Sequence, residues 1–153
     1  LAGPCGEVAC LVGGGVMLVG GIEALGSAAR YDIPIIIVVF NNRSYDNERN
    51  RLQFASPLYS RRDTRDQWRD ISGYLGDPTV DFSGIAKSFG IAGELAETPE
   101  QFSKALRRAR AATREGRPYL IDAIVMQLDR RGKRTEHTWY PELSIAARRS
   151  RNV

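Results

Sequence analysis

Short apolar runs alternate with helix-like segments along most of the chain. Residues 7–12 (EVACLV) form a first apolar run, and residues 34–40 (PIIIVVF) form a second. Between them, residues 21–31 place apolar side chains at the spacing of one helix face. We expect the first run to be a short buried strand. The unbroken β-branched second run is typical of a strand covered on both faces, as in a parallel sheet, so the order predicts a strand–helix–strand unit.

The second half of the chain continues this alternation with clearer helix boundaries. Asp81 is a good N-cap for a helix that ends at Gly90, and residues 91–96 are a candidate short strand. Thr98 begins another helix with the sequence of a capping box, and residues 118–126 form the last candidate strand. The apolar stripe of that helix comprises Phe102, Ala105, Leu106, Ala109 and Ala112.

Alternating strands and helices predict an α/β fold with three layers, a mostly parallel sheet with helices on both faces. We divide the chain into a domain of residues 1–127, truncated at its N-terminus, and a basic C-terminal extension of residues 128–153. A helix start is also expected within residues 43–52, and residues 53–80 are a long polar connection. The chain starts without Met and almost directly with a strand, so we expect a piece of a longer protein.

The net charge of the chain, +4, is local. Residues 128–153 carry seven basic and three acidic side chains, a net of +4, so the remainder is neutral. Charge on an extension argues against nucleic-acid binding, and no apolar run approaches the roughly 18 residues of a membrane-spanning helix. We therefore expect no nucleic acid and no membrane among the partners, and a cytoplasmic location. Cys5 and Cys10 match no metal or redox spacing, so buried or half-buried thiols are expected there.

Two polar turns follow the first two predicted strands. Gly13, Gly14 and Gly15 come after the first strand, and Asn41 and Asn42 end the second. The carboxyl ends of parallel strands meet at one edge of a sheet, so both turns are expected to face one crevice. A glycine turn before a helix suits a phosphate group, and amide oxygens suit Mg²⁺ or Ca²⁺. The pair of turns therefore indicates a cation that bridges Asn42 to a diphosphate.

The glycine turn alone leaves other interpretations open. It lacks the Gly-Lys-Ser/Thr ending of a P-loop. It also lacks the spacing of a dinucleotide-binding motif, because the third glycine of that motif would fall on Leu18. A nicotinamide-dependent dehydrogenase domain is therefore the weakest alternative. A tight turn without a ligand stays open, as does an Asn pair that simply ends a strand.

Four sequence blocks add to the two turns. The blocks are GIEALGSAARYDIPIIIVVFNNRSYDNE, VDFSGIAKSFGIAGE, TPEQFSKALRRA and GRPYLIDAIV. Residues 16–40 separate the glycines from the Asn pair, a spacing of 25 residues. This spacing and the order of the blocks resemble the thiamine-diphosphate-dependent enzymes, in the branch of acetolactate synthase and benzoylformate decarboxylase. The resemblance extends from about Gly6 to Met126.

The resemblance implies the thiamine-diphosphate-binding fold, with thiamine diphosphate and Mg²⁺ as cofactors. It implies that Asn42 gives its side-chain oxygen to Mg²⁺, that Ser44 gives its backbone carbonyl, and that Tyr45 lines the phosphate end of the site. The residues implied to receive the diphosphate are Gly13, Gly14, Gly15, Val16 and Met17.

One departure from the family pattern concerns the metal. The family carries an Asp within its glycine turn. This chain has Gly14 at that position if one residue is inserted near Gly20, or Gly15 without the insertion. Losing the carboxylate is expected to cost on the order of 1–3 kcal/mol in metal binding. Asp46 and Glu48 are the nearby acids considered as substitutes.

The resemblance also implies partners outside the chain. In the family, the glutamate that activates the cofactor belongs to a separate N-terminal pyrimidine-binding domain of a partner subunit. A homodimer or homotetramer is therefore implied, and no catalytic residue is assigned here. The implied function is the diphosphate-binding domain of a lyase or transferase that acts on small 2-keto acids, inactive as a separate piece. The alternative is a non-catalytic domain of the same fold that has lost its metal-binding Asp.

Overall fold

The computed structural model describes residues 6–48 and 73–126. Its strands are β1 (Val8–Gly13), β2 (Ile35–Asn41), β3 (Ala92–Ala96) and β4 (Tyr119–Ile124). The helices described in full are α1 (Gly14–Gly20), α2 (Ile22–Arg30), α3 (Phe82–Ser88) and α4 (Pro99–Arg114). Within these ranges the four strands form one parallel sheet in the order β1-β2-β4-β3, which confirms the predicted α/β fold.

Hydrophobic side chains cover both faces of the sheet, because alternate residues of a strand point to opposite sides. One buried cluster joins β2 and β4 to α1, α2 and α3, and its members are Met17, Leu25, Ala28, Ile37, Val39, Phe82, Ala86, Ile91 and Leu120. The other joins β2, β3 and β4 to α4, and its members are Ile36, Val38, Ala96, Ala105, Ala109, Ala112, Tyr119, Ile121 and Ala123. Helices therefore pack on both faces, as predicted.

The first two strands differ in burial. Residues 36–39 of β2 are buried, which confirms a strand covered on both faces. The prediction that the first strand is buried is wrong, because β1 lies at the edge of the described sheet and Leu11 is 65% exposed. Cys10 is exposed on the same strand, which corrects the expectation of a buried or half-buried thiol there. Cys5 lies outside the described residues.

The segment after the glycine turn forms two helices rather than one. Helix α1 begins directly at Gly14. The helical conformation is interrupted at Gly21, and α2 begins at the next residue. A Cβ built on Gly21 would lie 2.8 Å from the Met17 sulfur and 3.1 Å from its Cα. The break therefore depends on a residue without a side chain, a requirement that apolar periodicity does not reveal.

The ends of α3 and α4 agree with their capping sequences. Asp81 is the N-cap of α3, and its carboxylate accepts hydrogen bonds from the Gly84 N–H at 2.8 Å and the Ser83 hydroxyl at 2.7 Å. Thr98 and Gln101 form the predicted capping box of α4. Gly90 has φ +80°, the left-handed conformation expected of a glycine that follows a helix.

Asp81→Ala is expected to lower the free energy of unfolding by about 1 kcal/mol at pH 7, because the cap of α3 is lost. Hydrogen bonds from Gly84 and Ser83 hold the pKa of the Asp81 carboxyl below its ordinary value. A depressed pKa in the folded state means that this stabilisation is present above about pH 4 and is lost as the pH falls through the folded-state value.

Urea unfolding of the parent and of Asp81→Ala at several pH values measures this dependence. Asp81→Asn is the control, because it keeps the accepting oxygen but does not titrate. A difference between parent and Asp81→Ala that is equally large at pH 7 and at pH 3 would contradict the role of the ionised cap.

Some predicted features lie partly or wholly outside the described residues. The helix expected within residues 43–52 is described at residues 46–48 only. The first part of the long connection, residues 53–72, and the basic extension, residues 128–153, lie outside the description. Among the described residues, none of the helices combines the length and the apolar composition needed to span a bilayer.

Candidate functional site

The two polar turns lie together at the carboxyl ends of β1 and β2. In the parallel register Gly13 pairs with Phe40, so Gly14 follows β1 beside Asn41. A Cβ built on Gly14 would lie 3.5 Å from the Asn41 side-chain oxygen. The structure therefore brings the glycine turn and the Asn pair to one edge of the sheet, as their positions after parallel strands predict.

The Asn pair shapes the loop that follows β2. Oδ1 of Asn41 accepts a hydrogen bond from the Arg43 N–H at 3.0 Å, and Oδ1 of Asn42 accepts one from the Ser44 N–H at 3.1 Å. Each Asn thus forms a turn with the residue two positions on. Arg43, between them, has φ +56°, a left-handed conformation that costs a residue with a side chain about 1 kcal/mol. The side chains of the Asn pair hold the loop in this strained form.

A short antiparallel bridge holds the other side of this loop. Ser44 lies opposite Tyr74, and the two bonds of the bridge run from the Tyr45 N–H to the Gly73 carbonyl and from the Leu75 N–H to the Arg43 carbonyl, both at 2.7 Å. Because flanking residues make these bonds, the peptide groups of Ser44 face away from the bridge. On that side the Ser44 N–H donates its hydrogen bond to the side-chain oxygen of Asn42. The two residues predicted to hold a metal, Asn42 and Ser44, are thus neighbours in one fixed loop.

A carboxylate lies against Asn42. Nδ2 of Asn42 donates a hydrogen bond to Oδ2 of Asp46 at 3.1 Å, and Asp46 is only 8% exposed. Glu48, the other acid considered as a substitute, is exposed. Glu23 lies in the first turn of α2 and is exposed as well. Of the acids weighed from the sequence, Asp46 is the one whose described contacts reach the Asn pair.

The remaining predicted cofactor residues occupy different surroundings. Gly14 and Gly15 are buried, and a Cβ on Gly15 would lie 2.5 Å from the ring of Tyr45, so this ring packs directly on the glycine turn. Val16 is 67% exposed. The side chain of Met17 is 3% exposed and belongs to the core, so any contact of Met17 with a ligand would come from its backbone.

A buried carboxylate that the sequence analysis did not single out lies under the two turns. Asp122 of β4 is 1% exposed and accepts hydrogen bonds from Nδ2 of Asn41 at 3.0 Å and from the Phe82 N–H at 3.2 Å. Burial raises the pKa of the Asp122 carboxyl, and the bond from Asn41 opposes that rise. The available signal was a single acid within the apolar run YLIDAIV. Its partner lies 81 positions away, beyond the reach of local patterns.

The donor set fits a cation that is already bound to phosphate. The Asn42 oxygen and a backbone carbonyl are hard ligands of the kind that Mg²⁺ accepts. The glycine turn itself carries no carboxylate. Among the described residues, no group of three or more His, Cys, Asp or Glu side chains is placed to hold a metal ion. Mg²⁺ commonly takes its remaining ligands from water and phosphate oxygens, so these residues suit a metal–diphosphate complex better than a bare ion.

Comparisons with known proteins point to one family. Residues 1–123 match the family model of the thiamine pyrophosphate enzyme, C-terminal TPP binding domain. The chain is 34% identical over 128 residues to the putative acetolactate synthase large subunit IlvX of Mycobacterium tuberculosis, covering 84% of this chain and 23% of that protein. It is also 34% identical over 129 residues to benzoylformate decarboxylase of Pseudomonas aeruginosa, covering 84% of this chain and 21% of that protein.

A solved structure shares the fold. The thiamine diphosphate-dependent 4-hydroxybenzoylformate decarboxylase of Rhodococcus jostii matches with a TM-score of 0.64 and 30% sequence identity. The match covers 82% of this chain and 21% of that protein. The chain thus spans about a fifth of the length of the relatives that it matches.

Proposed function

Because the chain belongs to the thiamine pyrophosphate enzyme family, as its C-terminal TPP-binding domain, we propose that it binds the diphosphate of thiamine diphosphate together with Mg²⁺. The observation that carries this proposal is the meeting of Gly14 with the Asn pair at one edge of the sheet, where Gly14 would place a Cβ 3.5 Å from Asn41. In this arrangement the turn Gly13–Gly15 and the first residues of α1 receive the diphosphate.

The metal ligands in this proposal are the side-chain oxygen of Asn42 and the backbone carbonyl of Ser44. Both belong to the loop that Asn41, Asn42 and the bridge to Tyr74 hold in place. Tyr45, packed on Gly15, closes the phosphate end. Asp46 supplies negative charge beside Asn42 and offsets part of the charge that the glycine turn lacks.

The whole protein, in this proposal, is an enzyme that decarboxylates or ligates small 2-keto acids as a lyase or transferase. When bound, thiamine diphosphate supplies a nucleophilic carbon and an electron sink for that chemistry. The described residues bind and orient the diphosphate, and none of them is assigned a proton-transfer step. A pyrimidine-binding domain of the same or a partner subunit would complete the site, within a cytoplasmic homodimer or homotetramer.

One observation favours a second candidate function. The turn Gly13–Gly15 presents no carboxylate to a metal. A domain of the same fold that has lost metal binding and serves only in assembly would have this feature. The two candidates differ in whether Mg²⁺ raises the affinity of the chain for thiamine diphosphate, so a titration separates them.

Isothermal titration of the chain with thiamine diphosphate, with and without Mg²⁺, tests the proposed function. We expect binding that requires Mg²⁺, and Asn42→Ala is expected to weaken it by about tenfold or more, because a metal ligand is lost. Asn47→Ala is the matched control, since Asn47 is exposed and bonds only weakly to Glu48 at 3.5 Å. Affinity that is independent of Mg²⁺, or equal in parent and Asn42→Ala, would favour the assembly role.

A further inference from the structure

Asp122 is a buried acid for which the proposed function has no direct use. It lies on β4 and is 1% exposed, so solvent does not reach it. Both of its oxygens are engaged, Oδ1 by the Asn41 amide at 3.0 Å and Oδ2 by the Phe82 N–H at 3.2 Å. Burying a carboxylate costs free energy unless hydrogen bonds replace its lost hydration. The two hydrogen-bond donors of Asp122 therefore explain how it is kept in the core.

The two residues that Asp122 bonds are the two residues whose side chains flank Gly14. A Cβ built on Gly14 would meet the Phe82 ring at 3.3 Å and the Asn41 side-chain oxygen at 3.5 Å. Phe82 is the first residue of α3, and Asn41 is the last residue of β2. A single carboxylate therefore ties together the start of α3, the end of β2 and, through them, the walls of the glycine turn.

The bond from Asn41 also reaches the loop after β2. Its amide nitrogen donates to Asp122 while its oxygen accepts from the Arg43 N–H, so both ends of the amide are fixed. If the amide turned over, the Arg43 N–H would lose its acceptor. Asp122 thus determines the orientation of Asn41, and Asn41 holds the strained turn that places Asn42 and Ser44.

We propose that Asp122 is a positioning residue of the cofactor site, which acts through Asn41 on the loop that carries Asn42 and Ser44 and through Phe82 on the glycine turn. The consequence for the cofactor rests on the proposed function, whereas the effect on the loop does not. A carboxylate suits this position because it accepts at both oxygens. A side-chain amide has one accepting oxygen and would turn a donor toward one of two N–H groups.

A swap of the two side chains tests the proposal in the full chain. In Asp122→Asn, one donor faces another donor, either at Asn41 or at Phe82. In the double variant Asn41→Asp with Asp122→Asn, the carboxylate at position 41 accepts from the new amide and from the Arg43 N–H. The oxygen of that amide still accepts from the Phe82 N–H, so each bond has a counterpart in the swapped pair.

Hydrogen exchange of the Arg43 and Ser44 amides is the first measurement, with the Val38 amide of β2 as an internal reference. Asp122→Asn is expected to lower protection at Arg43 and Ser44 by about tenfold more than at Val38, and the swap is expected to restore it. Tyr119→Phe is the matched control. It removes a hydrogen bond to Glu94 at the other end of β4 and is expected to leave the Arg43 and Ser44 amides unchanged relative to Val38.

The cofactor readout is Mg²⁺-dependent binding of thiamine diphosphate, expected to weaken about tenfold in Asp122→Asn and to recover in the swap. Equal loss of protection at all three amides would reduce Asp122 to a general stabilising role and overturn the proposal, as would a swap that restores nothing. If Asp122→Asn does not fold, rescue by the swap decides. If the parent binds no cofactor, the proposed function fails, while the exchange data still decide whether Asp122 positions the loop.

Discussion

Gly14→Asp is expected to strengthen Mg²⁺-dependent binding of thiamine diphosphate by about 10- to 100-fold, the value of one charged ligand. The Cβ of an Asp at this position would lie 3.5 Å from the Asn41 side-chain oxygen, beside the loop that carries Asn42. The Phe82 ring, 3.3 Å from the new Cβ, has to shift by only a few tenths of an ångström.

Gly15→Asp is expected to weaken Mg²⁺-dependent binding of thiamine diphosphate, although the sequence permits the family's Asp at either glycine. Its Cβ would lie 2.5 Å from two ring atoms of Tyr45, so the ring has to leave the turn.

Calorimetric titration of both variants with thiamine diphosphate, at saturating and at zero Mg²⁺, measures the difference. Gly14→Asn is the control for shape, because it adds a side chain of the same size without charge. A gain in Gly15→Asp and none in Gly14→Asp would show that the alignment without an insertion is the correct one. No gain in either variant would argue that the metal site is lost for reasons beyond the missing carboxylate.

Gly93→Ala is expected to lower the free energy of unfolding by about 1–3 kcal/mol, the usual range for overpacking in a core. Gly93 lies on β3 where α3 crosses it. Its Cβ would lie 2.8 Å from the Ser83 carbonyl oxygen and 3.1 Å from the Ala86 Cβ. The closest of these is a backbone atom, so the helix itself would have to move, and with it Phe82 beside the glycine turn.

Gly20→Ala is the matched control for this substitution. Its Cβ would meet only the Glu23 carboxylate, at 3.8 Å, and Gly20 is the last residue of α1. Alanine in a helix is more stable than glycine, so this variant is expected to gain up to about 1 kcal/mol. Urea unfolding of the parent, Gly93→Ala and Gly20→Ala tests whether the first substitution lowers the free energy of unfolding and the second raises it. Unfolding of Gly93→Ala at the parent's midpoint would show that α3 does not approach β3 as closely as described.

Features that depend on neighbouring residues could be predicted well. The capping box of Thr98 and Gln101, the N-cap at Asp81 and the left-handed Gly90 all appear where the sequence places them, because hydrogen bonds within one turn create them. The burial of β2 could also be predicted, because an unbroken run of β-branched residues is typical of a strand covered on both faces.

The candidate site was only partly predictable. Gly14 and Asn42 were identified because parallel strands end at one edge of a sheet, and the structure places them there. Asp122 was missed because its role depends on hydrogen bonds from Asn41 and Phe82, which are 81 and 40 positions away in the sequence. Met17 was included with the glycine turn, but its side chain turns into the core.

The sequence by itself determined most of the segments that form helices and strands, although not the separate helix α1, and it identified the two turns that could meet a diphosphate. Local hydrogen bonding and the period of apolar residues set those properties. Only the tertiary structure decided that β1 lies at the edge of the described sheet. It also decided that a Cβ on Gly14 needs only a small shift of Phe82, whereas one on Gly15 would collide with the Tyr45 ring, and that the buried carboxylate of β4 bonds to both β2 and α3. These properties depend on the packing of segments far apart in the chain, where atoms meet at distances that no local pattern encodes.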